Sequence, residues 1–338
     1  MPVEAAFDMK PTLSVVLPAM LGYDTVLAAL DSWESQTCRS DIEILVLCPD
    51  HLGPSLAQTR SLPPGQLVVP VGSATLHEAR AIGIERASGD NVMLAEDHCL
   101  PDRDWAEAIL DRLEKGWDGV GPALRPGNRI SRWAEASFLI GYGEWMIPVS
   151  GGPTDVLCGL NWTIRTRLLH QLGADLSNEL ILGAFLVRRL RQEGARFYLD
   201  DRARMRHFDP SSWSFAISSL FALGLGFGAR RTLQWPLPAR LVYPLAAPAV
   251  ALMHWKRAFV HHRRARAGSG LRPTAPLVAS VLASAWGLGE GVGALLGLAR
   301  VAPHIWRAET RPVSRAEVTC SIARDRQDLP PIPAASVK

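Results

Sequence analysis

SGDNVMLAEDHCLPDRDW, residues 88–105, is the stretch on which the reading of this chain turns. Ser88, Gly89 and Asp90 read as a small-residue turn, and residues 91–95 are a short apolar run of the length expected for a buried strand. The run ends in Glu96, Asp97 and His98, three groups able to ligate or hydrogen-bond, placed where open α/β sheets hold their ligands, at the carboxyl end of a strand. Pro101 and Asp102 close the loop, and Trp105, Ile109, Leu110 and Leu113 follow at helical spacing. The acidic cluster is therefore expected on a strand-to-helix turn. A plain exposed turn with an N-capping aspartate has the same composition, so the flanking sequence must decide between them.

Upstream, residues 13–17 (LSVVL) predict a strand ended by Pro18, Val26, Leu27, Leu30 and Trp33 a helix, and residues 42–47 (IEILVL) a second strand leading to Asp50. Residues 66–69 (QLVV) predict a third strand, and Leu76, Ala79, Ile82, Gly83 and Arg86 a helix that enters the opening stretch. This alternation predicts a parallel sheet with helices packed on it. No G-x-G-x-x-G follows the first strand, which disfavours a dinucleotide-binding dehydrogenase.

The chain has 338 residues, 48% of them hydrophobic, enough for a substantial core. Its net charge of +3 is too small to suggest a nucleic-acid partner, but a dense basic run over residues 256–272 suits an anionic surface. Cys38, Cys48, Cys99, Cys158 and Cys320 lack metal-type spacing; their odd number fits free thiols in a reducing compartment, and no zinc site is expected. The opening MPVEAAFDMKPT lacks a basic start followed by an apolar run, so no secretory signal is expected and the first domain is placed in the cytosol.

The order LSVVLPA, LDSWESQT, IEILVL near an aspartate, and HEARAIGIERASGDNVMLAEDHCLPDRDW resembles the catalytic domain of family 2 glycosyltransferases over roughly residues 12–207. The resemblance implies a GT-A type α/β sandwich, a nucleoside-diphosphate-sugar donor, and a divalent cation, Mn2+ or Mg2+, held at an Asp-x-Asp turn. It places Pro18 and Asp50 at the base and ribose, Arg80 and Gly83 on the helix bordering the nucleotide, and Glu96, Asp97 and His98 at the metal turn. Glu96 takes the place of the first aspartate and His98 that of the second, with Asp97 between them. Carboxylate and imidazole together suit manganese better than magnesium, which prefers oxygen ligands alone.

In residues 117–150, Trp133, Phe138, Tyr142 and Trp145 suit either the core or one wall of an acceptor site. Gly151, Gly152 and Pro153 read as a loop, and residues 156–165 (VLCGLNWTIR) resemble the family's strand along the acceptor cleft, with Asn161 and Trp162 nearest the sugar. The family's catalytic base is the aspartate of a Glu-Asp pair upstream of an Arg-Leu and a glycine. Arg189, Leu190 and Gly194 are present, but Leu182 and Gly183 stand where the pair should be. Glu179, about one helical turn upstream, becomes the expected base, with Asp175 as second choice. Residues 197–199 predict a last strand, and His207, closing the run RMRH, resembles the histidine that approaches the metal or diphosphate.

Beyond residue 210 the composition changes. Residues 211–229 are uncharged but interrupted by Gly224, Gly226 and Gly228; residues 241–255 are apolar, short and contain Pro244 and Pro248. Both suit interfacial or re-entrant helices. Residues 274–299, with Glu290 as their only charge, are long enough to span a bilayer. The basic run between them is expected as a cytoplasmic loop touching anionic lipid. Gly289, Glu290 and Gly293 resemble a feature of membrane-attached family 2 enzymes, and residues 309–338 read as a disordered tail.

The expected organisation is a loose N-terminus (1–11), a GT-A domain (12–210), membrane-associated helices (211–305) and a tail (306–338). The expected activity is transfer of a sugar to a lipid-linked or polysaccharide acceptor at the cytoplasmic membrane, with the catalytic domain on the cytosolic side. Two alternatives stand beside it. One is a GT-A-fold binding or assembly protein without turnover. The other, a nucleotidyltransferase, fits less well because residues 19–25 contain no lysine or arginine where a basic loop belongs.

Overall fold

A computed structural model of the chain describes residues 10–21, 26–50, 62–128, 131–265, 271–309 and 322. Most of the N-terminal segment, residues 22–25 of the first loop and nearly all of the expected tail therefore lie outside the described residues.

The first half is the expected strand–helix alternation. Strand β1 (Leu13–Pro18) leads through helix α1 (Leu27–Glu34) to β2 (Ile42–Cys48), then β3 (Gln66–Pro70), α2 (Leu76–Arg86) and β4 (Asn91–Leu94). All residues of β1, β2 and β4 are buried, as continuous apolar runs in a sheet covered on both faces should be. Thr75 and Glu78 form a capping box that starts α2. The turn before β4 is fixed from the sheet: the buried Glu43 carboxylate accepts the backbone N–H of Ser88 and, at 3.2 Å, that of Gly89.

Strands β5 (Cys99–Pro101), β6 (Gly119–Pro126), β7 (Gly152–Thr154), β8 (Thr163–Arg165) and β9 (Phe197–His207) complete the sheet, in the order β3-β2-β1-β4-β8-β6-β9-β5, with β7 also on β9. The part β3-β2-β1-β4 is parallel. The second part is mixed: β5 follows the acidic turn, α3 (Trp105–Glu114) follows β5, and then come β6, α4 (Arg132–Tyr142), β7, β8, α5 (Gly183–Gln192) and β9. Trp105 of α3 packs edge-on against Trp33 of α1, ring centroids 5.1 Å apart, both fully buried.

Several expectations change here. The acidic turn leads into the short strand β5 before the helix begins. Residues 151–153, read as a loop, lie partly in β7, and only the last three residues of 156–165 are strand. The expected strand over 197–199 and the RMRH run are one eleven-residue strand, β9, whose register against β6 shifts between Pro122 and Ala123.

Helices α6 (Trp213–Arg231), α7 (Ala247–Ala265), α8 (Ala275–Leu296) and α9 (Leu298–Glu309) form the C-terminal region. The glycines of residues 211–229 do not interrupt α6; they are its contact face. A Cβ at Gly228 would stand 1.9 Å from the Glu290 carbonyl oxygen, one at Gly293 1.9 Å from that of Leu225, and one at Gly224 2.3 Å from that of Trp286. Glycine at four-residue spacing on both helices lets α6 and α8 meet backbone to backbone. Glu290, fully buried on α8, accepts from Tyr243 Oη at 2.6 Å and Trp286 Nε1 at 2.8 Å, with Arg231 Nε 3.4 Å away. The expected basic loop is helical through Ala265; residues 266–270 lie outside the described residues. One continuous buried cluster joins the sheet to Ala216 and Leu220 of α6, Ala258 of α7 and Leu282 and Trp286 of α8.

Candidate functional site

Strand direction gathers the site at one edge. Strand β8 runs antiparallel to β4, β6 antiparallel to β8, and β9 parallel to β6, so β9 ends at the edge where β4 ends and β8 begins. Glu96, Asn161 and His207 are thus neighbours although 111 positions separate the first from the last in the sequence. The short β5 completes the gathering: Cys99 pairs with His207, and the His98 carbonyl accepts the Phe208 N–H at 3.0 Å, which lays the two histidines side by side.

Ligand atoms of Glu96, His98 and His207 all lie within 4.8 Å of one another. His98 Nε2 is 3.9 Å from Glu96 Oε1, and His207 Nε2 is 3.7 Å from Glu96 Oε2. Each imidazole is oriented from behind by a carboxylate: Nδ1 of His98 meets Asp97 Oδ1 at 2.8 Å, and Nδ1 of His207 meets Asp209 Oδ2 at 2.9 Å. With Nδ1 engaged, each Nε2 turns its lone pair to the shared space, as in carboxylate–histidine–metal arrangements. His207 Nε2 is buried and has no hydrogen-bond partner among the described residues.

The electrostatics favour a cation. Burial alone would raise the Glu96 carboxyl, but His98, His207 and Arg80 outweigh it and hold the group well below the usual carboxylate range. Burial opposes the His207 imidazolium, yet Asp209 and Glu96 outweigh it and raise its pKa to about 9. The carboxylates that favour a proton on Nε2 equally favour a metal ion there. Two imidazoles and a carboxylate with open positions suit manganese, iron or zinc better than magnesium, so the donor set fits the expected cation in its manganese form.

The expected metal set was Asp97, His98 and His207. The geometry replaces Asp97 by Glu96, because Asp97 is turned to His98 Nδ1. Asn161, expected beside the sugar, is fully buried at φ 61° in the left-handed region that asparagine tolerates. There its side-chain amide donates to Glu96 Oε2 and its carbonyl accepts the Glu96 backbone N–H at 3.2 Å, so it positions the carboxylate. Trp162 is fully buried in the core and its indole N–H donates to the Gly159 carbonyl, which leaves it no surface for an acceptor. Gly83 faces the sheet: a Cβ there would stand 2.6 Å from Val16 Cγ1, so glycine serves the close packing of α2 on the sheet.

Pro18, Arg80, Glu96 and Asp97 do come together, around a small recess at the ends of β1 and β4. Asp50 stands past the end of β2, where its Oδ1 accepts the Gly72 N–H at 2.7 Å. The two expected bases fare differently. Both Glu179 oxygens are engaged by arginines, Oε1 with Arg189 at 3.0 Å and Oε2 with Arg230 at 2.6 Å, and Asp175 is an exposed partner of Arg189 at 3.5 Å. A cavity of about 250 Å³ opens from the trio toward α6, and the only carboxylates lining it among the described residues are Glu96 and Asp209.

Asp209, Asn128 and Tyr142 have roles that the linear reading did not assign. The Asn128 side chain donates to the Asp209 carbonyl at 2.6 Å and accepts its backbone N–H at 3.0 Å. The Tyr142 ring lies 4.0 Å from that of His207, centroid to centroid, with its hydroxyl 3.5 Å from Glu96. The spacing His207-x-Asp209 at a strand end was the one local signal for Asp209.

No protein-family model matches the chain, and no curated protein is similar to it. Among solved structures, the chain is similar to GalNAc-T7 with UDP, GalNAc and Mn2+, at 16% identity and a TM-score of 0.49, over 67% of this chain and 52% of that one; it therefore spans about half of that protein's length.

Proposed function

We propose that this chain is a membrane-attached glycosyltransferase that moves a sugar from a nucleoside-diphosphate donor to a lipid-linked or polysaccharide acceptor at the cytoplasmic face. The observation that carries the reading is the trio Glu96, His98 and His207, with the buried, unbonded Nε2 of His207, beside the recess of Pro18, Arg80 and Asp97. The resemblance of residues 12–207 to family 2 supports the donor class. A cation held by the trio would neutralise the leaving diphosphate as the sugar bond breaks. Glu96 and the two imidazoles would hold it, Asp97, Asp209 and Asn161 would keep those three groups aimed, and buried Arg80 would add positive charge beside the diphosphate.

Attachment rests on surface chemistry. Among the described residues, every exposed large apolar side chain but Val156 lies at or beyond Trp213. Helix α8 is long and apolar enough to cross a membrane, although more than half of it is buried against its neighbours.

A second reading, a nucleotide-binding protein without turnover, is favoured by one observation: Leu182 and Gly183 occupy the expected position of the base while Glu179 is held by two arginines. Calorimetry with UDP and GDP, with and without manganese, on the wild type and on His98→Ala tests the common part. Binding that requires manganese and is lost in His98→Ala is expected; equal affinity in all conditions removes the cation from the site. Release of nucleoside diphosphate with a lipid extract then separates enzyme from binding protein.

A further inference from the structure

A second, larger chamber, about 570 Å³, lies between α5, the end of α6 and α7. It shares Trp145, Phe227 and Trp286 with the cavity above the trio, but its chemistry is different. Arg188 and Arg191 of α5, Arg231 of α6 and Arg257 of α7 line it, against two carboxylates, Glu144 and Asp155. Arg191 is paired with Asp155 at 2.7 Å, and Arg231 lies 3.4 Å from Glu290 behind the wall. Arg188 and Arg257 have no ion pair among the described residues, and they stand on different walls.

His261 adds a further observation. It lines the same chamber, and its Nδ1 is buried without a hydrogen-bond partner among the described residues. Burial first, and then Arg264 and Arg257 beside it, push its pKa down to about 4.

We infer that this chamber is a binding site for a phosphoryl group, held between Arg188 and Arg257 with His261 as a hydrogen-bonding partner. Guanidinium forks on two walls suit a tetrahedral dianion, which offers acceptor oxygens in several directions. The phosphoryl group can come from a lipid headgroup or from a soluble phosphate; the recognition is the same. The site does not depend on sugar transfer, and it is separate from the cation trio.

The test is calorimetry on the full chain in detergent micelles, with EDTA present so that no divalent cation can bring phosphate to the trio. Inorganic pyrophosphate and phosphatidic acid are the probes, with phosphatidylcholine as the blank. Saturable binding is expected, at least tenfold weaker in Arg188→Ala and in Arg257→Ala, and unchanged in Arg86→Ala, which removes an equal charge from an exposed helix end elsewhere. Both chamber residues are exposed and have no ion pair among the described residues, so neither change threatens the fold. Competition between the two probes identifies the phosphoryl group alone as the ligand; binding of phosphatidic acid only identifies a lipid headgroup. Failure of both probes to bind, undiminished binding in the chamber variants, or an equal loss in all three variants overturns the inference.

Discussion

Asp209 acts on the trio through one hydrogen bond. Its carboxylate meets His207 Nδ1 at 2.9 Å, which fixes the ring and makes Nε2 the free nitrogen. Asp209→Asn keeps the shape but removes the charge that makes the imidazole a better ligand, and partners of this kind contribute about 10- to 100-fold in metal affinity. Manganese titration by calorimetry should show a loss of that order with the melting temperature little changed; an unaltered affinity would mean that His207 is not a ligand. Asp200 makes the matching case for stability. Its side chain is fully buried and bridges Arg112 and Arg202, each at 2.7 Å. Burial would raise its pKa, but the two arginines outweigh it and lower it below 3.8. A carboxyl depressed in the folded state stabilises above its unfolded pKa and loses that contribution as pH falls through the folded value. Asp200→Asn should therefore destabilise the protein by about 2 kcal/mol at neutral pH, the order of a charge-assisted hydrogen bond lost to partners that are themselves partly exposed, and by progressively less below about pH 4 in denaturant melts.

At the scale of elements, the contact between α6 and α8 depends on positions that admit no side chain. Gly228→Ala puts a methyl group where the Glu290 backbone lies 1.9 Å away, so the helices must part. Overpacking of this kind costs about 1–3 kcal/mol, whereas Gly141→Ala, with nothing within 4 Å, should be neutral or slightly stabilising through helix propensity. Thermal melts of the two variants in detergent distinguish contact from propensity. The same glycines show what a linear reading can miss. In sequence, Gly224, Gly226 and Gly228 read as interruptions, because propensity is local, while the α8 backbone that Gly224 and Gly228 meet lies some 65 residues away and the Ile305 that Gly226 meets lies farther still. The parallel strands were legible, since each is an apolar run bounded by turn residues, fully buried in β1, β2 and β4. β5, β6 and β7 were not: two are three residues long, and β6 carries two glycines and two prolines, so it is pairing with β9, and for β6 also with β8, that makes them strands. The trio was legible in part for the same reason. Glu96 and His98 share a turn with a recognisable pattern, whereas exclusion of Asp97 and the burial of Trp162 depend on which way each side chain faces, and local spacing does not set that.

For the whole molecule, the proposed membrane attachment would rest on charge or on apolar surface, and the two make different predictions. The basic residues of α7 could act alone, and a purely electrostatic attachment should fail in molar salt, where screening falls to about 3 Å. The exposed apolar surface argues otherwise. Leu245, Leu277 and Leu288 are 80%, 73% and 59% exposed, on the turn before α7 and along α8. Burying one such side chain contributes about 1.5–3 kcal/mol, so three together are worth a partition change on the order of a thousandfold or more. The full chain should therefore stay with membranes in molar salt and leave them in detergent. Replacing all three leucines by glutamate should move it to the soluble fraction, with helix content by circular dichroism unchanged because none of the three is buried. Release of the wild type by salt alone would assign attachment to the arginines of α7, and the apolar face would then need another partner.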